Sequence, residues 1–100
     1  MDIVISKRNS LKVIGQISSV NDSDRLIHNI EEICNTGTPS LRILFKETKL
    51  LGSAVLSHLV RLACKDCIKV SVEVTDEHLH DLIESMGLRE TINLSLVSVD

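Results

Sequence analysis

At 100 residues, 43% of them apolar and 25% charged, the chain has the composition of one folded domain and is too apolar for disorder. Phe45 is its only aromatic residue and the net charge is −3, which argues against base-stacking readers of single strands and against wrapping a polyphosphate backbone. Apolar runs fall far short of the ~18 residues that span a bilayer. MDIVISKRNS lacks the layout of a secretory signal, so the expectation is a cytoplasmic protein with no membrane insertion and no nucleic-acid partner.

Along the chain, Ile3-Val4-Ile5 and Leu11 to Ile17 read as a hairpin turned at Lys7-Arg8-Asn9-Ser10, with Leu11, Val13, Gly15 and Ile17 on one face. Asn21-Asp22-Ser23-Asp24 opens an amphipathic helix whose apolar residues Leu26, Ile30, Ile33 and Cys34 recur at helical spacing, with Gly37 as its C-cap. The loop Asn35-Thr36-Gly37-Thr38-Pro39-Ser40 then leads into a strand over Leu41 to Phe45. A second helix is predicted from Ser53 to Lys65, with Val55, Leu56, Leu59, Val60, Leu62 and Ala63 inward and Ser57, His58, Arg61 and Lys65 outward. Ile68 to Val74 alternates strictly, the mark of a strand with one solvated face. Thr75-Asp76-Glu77 caps a third helix carrying Leu79, Leu82, Ile83 and Met86 and closed by Gly87, and Ile92 to Val97 forms the last strand.

The order β-β-α-β-α-β-α-β implies parallel strands joined by right-handed crossovers. The expected fold is therefore α/β: a single domain over 1–100, with a small mixed sheet and helices mainly on one face.

Few residues suggest chemistry. Cys64 and Cys67 form a CxxC, but at the C-terminal end of the second helix, where the dipole disfavours the thiolate that redox chemistry needs. Zinc would require two further ligands. His78 and His80 face different directions on their helix, and His28 and His58 fall on predicted polar faces, so all four are expected in solvent. No glycine-rich phosphate loop or nucleophile elbow is present. The expectation is a protein without catalysis, cofactor or metal.

The segment Leu50-Leu51-Gly52-Ser53-Ala54-Val55-Leu56 places a hydroxyl where the second helix begins. Ser53 is an N-cap candidate there, and the same position favours an anion because free N–H groups and the positive end of the dipole converge on it. Phosphorylation would add about −1.5 to −2 charges at that surface.

In element order, residues 3 to 97 resemble the STAS domain of bacterial anti-sigma-factor antagonists. The resemblance rests on Val13-Ile14-Gly15-Gln16-Ile17, on the strand Leu41 to Phe45, on Leu51-Gly52-Ser53-Ala54-Val55-Leu56 at the family's phosphorylation motif, and on Leu82-Ile83-Glu84-Ser85-Met86-Gly87-Leu88. It implies that Ser53 is phosphorylated by a serine kinase, often the anti-sigma factor itself, and dephosphorylated by a metal-dependent phosphatase. Phosphate then switches the protein between partners. The implied contact surface comprises Ser18, Ser19, Lys46, Lys49, Gly52, Ser53, Ala54 and Ser57.

Several features depart from the family's pattern: Gly52 stands where an acid usually precedes the serine, Ala54-Val55 replaces the following Ser/Thr-Gly, Ser18 takes the acidic position after the glycine strand, and basic Lys46 and Lys49 precede Ser53. They leave open a constitutive STAS subunit of a larger complex, such as a lipid-transport ATPase or a signalling assembly, with no phosphorylation.

Overall fold

The structure, a computed structural model, describes residues 1–7 and 9–98; Arg8 of the predicted hairpin turn lies outside them. Its elements are β1 (Asp2–Lys7), β2 (Ser10–Ile14), α1 (Val20–Cys34), β3 (Ser40–Lys46), α2 (Ser53–Cys64), β4 (Lys69–Val74), α3 (Glu77–Ser85) and β5 (Leu94–Leu96). The strands form one mixed sheet in the order β1-β2-β3-β4-β5. Only the β1–β2 pair is antiparallel.

This order explains where the core sits. Each βαβ unit advances one strand in the same direction, and crossovers of one hand that advance together deliver every helix to the same side. The covered face buries Leu11, Val13, Leu41, Ile43, Phe45, Val70, Val72 and Val74, against Leu26, Ile30 and Ile33 of α1, Val55, Leu56, Leu59 and Leu62 of α2, and Leu79 and Ile83 of α3. Phe45, paired with Val13 and Val74, lies at the centre and is fully buried. The other face carries Val4, Lys12, Ile14, Arg42, Leu44, Lys46, Lys69, Ser71 and Glu73, with no helix over it.

The predicted elements appear in the predicted order, but several ends move. The second strand stops at Ile14 rather than Ile17, because Gly15 turns the chain at φ +96° while its N–H still bonds the Lys46 carbonyl at 2.9 Å. Helix α1 begins ahead of the Asn21–Asp24 run: Ser19 caps it by accepting from the Asp22 N–H at 3.1 Å. The last strand contracts to three residues, since Asn93 adopts φ +48° and breaks it from Ile92. Of the apolar residues that the third helix was expected to carry, Leu79 and Ile83 are buried while Leu82 and Met86 are exposed. A helix of nine residues can turn only a narrow stripe inward, and Leu82 (40% exposed) and Met86 (51%) fall at its margin.

Candidate functional site

The segment leading into α2 is held by polar clamps. Beyond β3, Glu47 takes φ +64°, and its N–H donates to Thr75 Oγ1 at 3.2 Å. Thr48 is the only fully buried polar residue among the described residues, and its hydroxyl donates to the Gly15 carbonyl at 2.7 Å. Gln16 bridges the same two loops, donating to the Glu47 carbonyl at 2.8 Å and accepting from the Lys49 N–H at 3.1 Å. The turn after β2 and the turn after β3 are thereby fastened side by side. Sequence reasoning missed Gln16, Thr48 and Thr75. A threonine in a polar loop looks like any other until a carbonyl turned inward by a left-handed glycine needs a donor.

Ser53 is the first residue of α2 and is exposed. The predicted capping role is not realised. The N-cap is Gly52, which has no side chain to cover the leading N–H groups, and Ser53 itself caps nothing. Helices α1 and α3 are capped by the side chains of Ser19 and Asp76. The first turn of α2 carries no acidic residue, so the positive end of its dipole is not offset locally.

Ser53 and Ser57 line the head of a groove of about 540 Å³ along α2, whose apolar wall is Leu51, Leu56, Val60, Met86 and Leu88. Arg61 and Lys65 continue the same helix edge at four-residue spacing, so the edge passes from hydroxyls to cations.

The other contact candidates do not all gather there. Gly52 and Ala54 are exposed beside Ser53. Ser18 and Ser19 are exposed at the start of α1, where Ser18 donates through its N–H (3.2 Å) and its hydroxyl (3.3 Å) to Asp22 Oδ2. The Ser18 N–H, with the serine hydroxyls adding to it, holds the Asp22 carboxyl below the usual range. Lys49 lines a separate pocket with Leu50, Asp76, His78 and Leu82. Lys46 stands opposite Ile14 in the register and so belongs to the uncovered sheet face, away from the helices.

Two histidines depart from expectation. His58 is half-buried, and among the described residues its Nε2 is enclosed without a hydrogen-bond partner. The His80 side chain is only 16% exposed, with Nδ1 at 3.4 Å from Asp81 and 3.6 Å from Glu84. Ligand atoms of these three side chains lie within 4.8 Å of one another, and Arg89 sits 3.5 Å from Glu84, already supplying positive charge to that carboxylate. His28 is exposed and pairs with Glu32 at 3.0 Å, and His78 is exposed.

All three cysteines are free; Cys64 and Cys67 are exposed at the end of α2, and Cys34 is half-buried. Burial pushes the Cys34 thiol up, with Asp66 and Glu31 adding to the shift. Alkylation at neutral pH is therefore expected to label Cys64 and Cys67 first and Cys34 last, which peptide mass spectrometry over time would read. A folded pKa above the unfolded one means that the Cys34 contribution to stability is complete below the unfolded thiol pKa. It is lost as pH rises through the folded value. Equal labelling rates at all three would contradict the half-buried placement of Cys34.

No helix among the described residues is long and apolar enough to cross a membrane. No family model, curated protein or solved structure matches the chain.

Proposed function

We propose that this chain is a STAS-type binding module, acting in the cytoplasm without catalysis, that exchanges protein partners through phosphorylation of Ser53. The observation that carries the reading is the Ser53 hydroxyl, exposed in the uncapped first turn of α2 and at the head of an apolar groove. The element order and the STAS-like motifs around Gly15, Ser53 and Gly87 support it. The unmodified face offers a partner neutral hydroxyls beside Leu51 and Leu56. A phosphate adds a strongly hydrated charge at that edge, so docking there must strip its water or face repulsion. The partners in this reading are a serine kinase of the anti-sigma-factor kind and a metal-dependent serine phosphatase.

The test has two arms. Protein isolated from its own cells should contain a phosphorylated form by intact mass, which Ser53→Ala removes. Toward the kinase-type partner, Ser53→Asp should lose about tenfold or more in affinity, roughly 1.4 kcal/mol, while Ser53→Ala retains it. Equal binding by the two variants sinks the switch.

A second reading, the constitutive STAS subunit, draws on Gly52 and the absence of acid in the first turn of α2. It predicts no phosphorylated form at all, and co-purification with a much larger complex.

A further inference from the structure

The uncovered face of the sheet holds a small polar pocket, of about 290 Å³, at the end where β3 and β4 begin. The register builds it. Ser10, Arg42 and Ser71 form one row across β2, β3 and β4, and Ser40 and Lys69 form the next row outward. Strand neighbours stand ~5 Å apart and diagonal neighbours ~7–8 Å apart, so Arg42 and Lys69 rise from adjacent strands as diagonal neighbours, within reach of one another for side chains of their length. Like charges so placed repel unless something negative lies between them.

The groups nearby leave that need largely unmet. Glu73 approaches Arg42 at 3.7 Å, Oε1 to Nε, which is an ion pair beyond hydrogen-bond distance and leaves the guanidinium's donors without a hydrogen bond to that carboxylate. Among the described residues, Lys69 has no carboxylate within ion-pair distance. Asn9 Nδ2 donates to Ser40 Oγ at 2.8 Å, which fills an acceptor position of that hydroxyl and leaves its hydrogen to point elsewhere. The hydroxyls of Ser10 and Ser71 complete a rim of donors.

We propose that this pocket is a binding site for a phosphomonoester. Two cations and three hydroxyls match a tetrahedral dianion with three strong acceptor oxygens better than they match a flat monoanionic carboxylate. The volume lies at the lower end of ligand pockets, about 300 Å³ and upward, which suits a phosphate head rather than a whole cofactor. The pocket lies on the sheet face opposite the helices, so it is independent of Ser53 and of the reading proposed for it.

The experiment is an amide-resolved NMR titration of the whole protein at constant ionic strength, with inorganic phosphate in one arm, O-phosphoserine in a second and chloride as control. Saturable shifts are expected at Ser10, Arg42 and Ser71 in both phosphate arms and not with chloride. Arg42→Ala and Lys69→Ala should each weaken binding about tenfold. Lys46→Ala, four residues further along β3, should leave it unchanged. Glu73→Gln, which releases Arg42 entirely, should tighten it. O-phosphoserine should bind more tightly than inorganic phosphate, and the reverse would overturn the ester in favour of the free anion. Shifts that never saturate, that chloride reproduces, or that Lys46→Ala reduces as much as Lys69→Ala would overturn the site. Side chains of Arg42 (66% exposed) and Lys69 stand in solvent, so both variants should fold, which circular dichroism would check.

Discussion

Replacing Phe45 with alanine is expected to cost about 4 kcal/mol, as large aromatic truncations in close-packed cores do. The ring is the largest fully buried side chain and the only aromatic one, so no neighbouring ring can shift to fill the space. Its strand neighbours Val13 and Val74 are held by backbone pairing on both sides and cannot follow it inward. For a domain of this length the loss would lower the melting temperature by roughly 15–30 °C, and total stability is only about 5–15 kcal/mol. Leu50→Ala supplies the contrast, since a leucine 66% exposed should change stability by no more than about 0.5 kcal/mol. Thermal unfolding of both variants decides the matter. Similar melting points would mean that the sheet centre can collapse around a missing ring.

Thr48→Val should cost about 2 kcal/mol although shape and volume hardly change. The substitution removes the fully buried hydroxyl that donates to the carbonyl of the half-buried Gly15 and leaves that carbonyl without its donor. Its effect should also be local. The Thr48 bond ties the turn after β2 to the loop that presents Ser53, so amide exchange should quicken at residues 15–18 and 47–49 before the rest of the sheet responds. Gln16→Ala removes two bonds between the same loops, but from an exposed position where water replaces them, and should cost under about 1 kcal/mol. A neutral Thr48→Val would show that the carbonyl finds another donor and that the clamp does not hold the loop.

Much of this architecture is legible in the bare sequence. The alternation of Val70, Val72 and Val74 against Lys69, Ser71 and Glu73 both predicts a strand and says that one of its faces is solvated. Gly87 adopts the left-handed conformation expected just past the end of α3, whereas the C-cap of α1 is Asn35 rather than Gly37, which makes its left-handed turn two residues later. What escaped depends on contacts between distant segments. No local pattern distinguishes Ser19 from Asn21 as the start of α1, because each is a small polar residue before a helix. The half-burial of His58 is set by what packs against α2, whereas helical spacing alone assigns it to the polar side.

The candidate site divides in the same way. That a hydroxyl opens α2 follows from Gly52-Ser53 and the apolar spacing after them, and its exposure comes with the same pattern. That Gly52 rather than Ser53 takes the capping position is a backbone matter of one residue, below the resolution of any periodicity. Lys46 was grouped with Ser53 as part of the loop that leads to it. It lies apart because residue 46 falls on the even-numbered side of β3, with Arg42 and Leu44, while the core takes the odd-numbered side.

The run of strands from one edge of the sheet to the other has a consequence for biosynthesis. Of these strands β1 and β2 leave the ribosome ahead of the others, and every later strand emerges after the neighbour it must join. Nothing has to be held open for a late insertion between strands already paired. The domain can therefore be laid down in the direction of translation, starting from the hairpin whose ends lie closest in sequence.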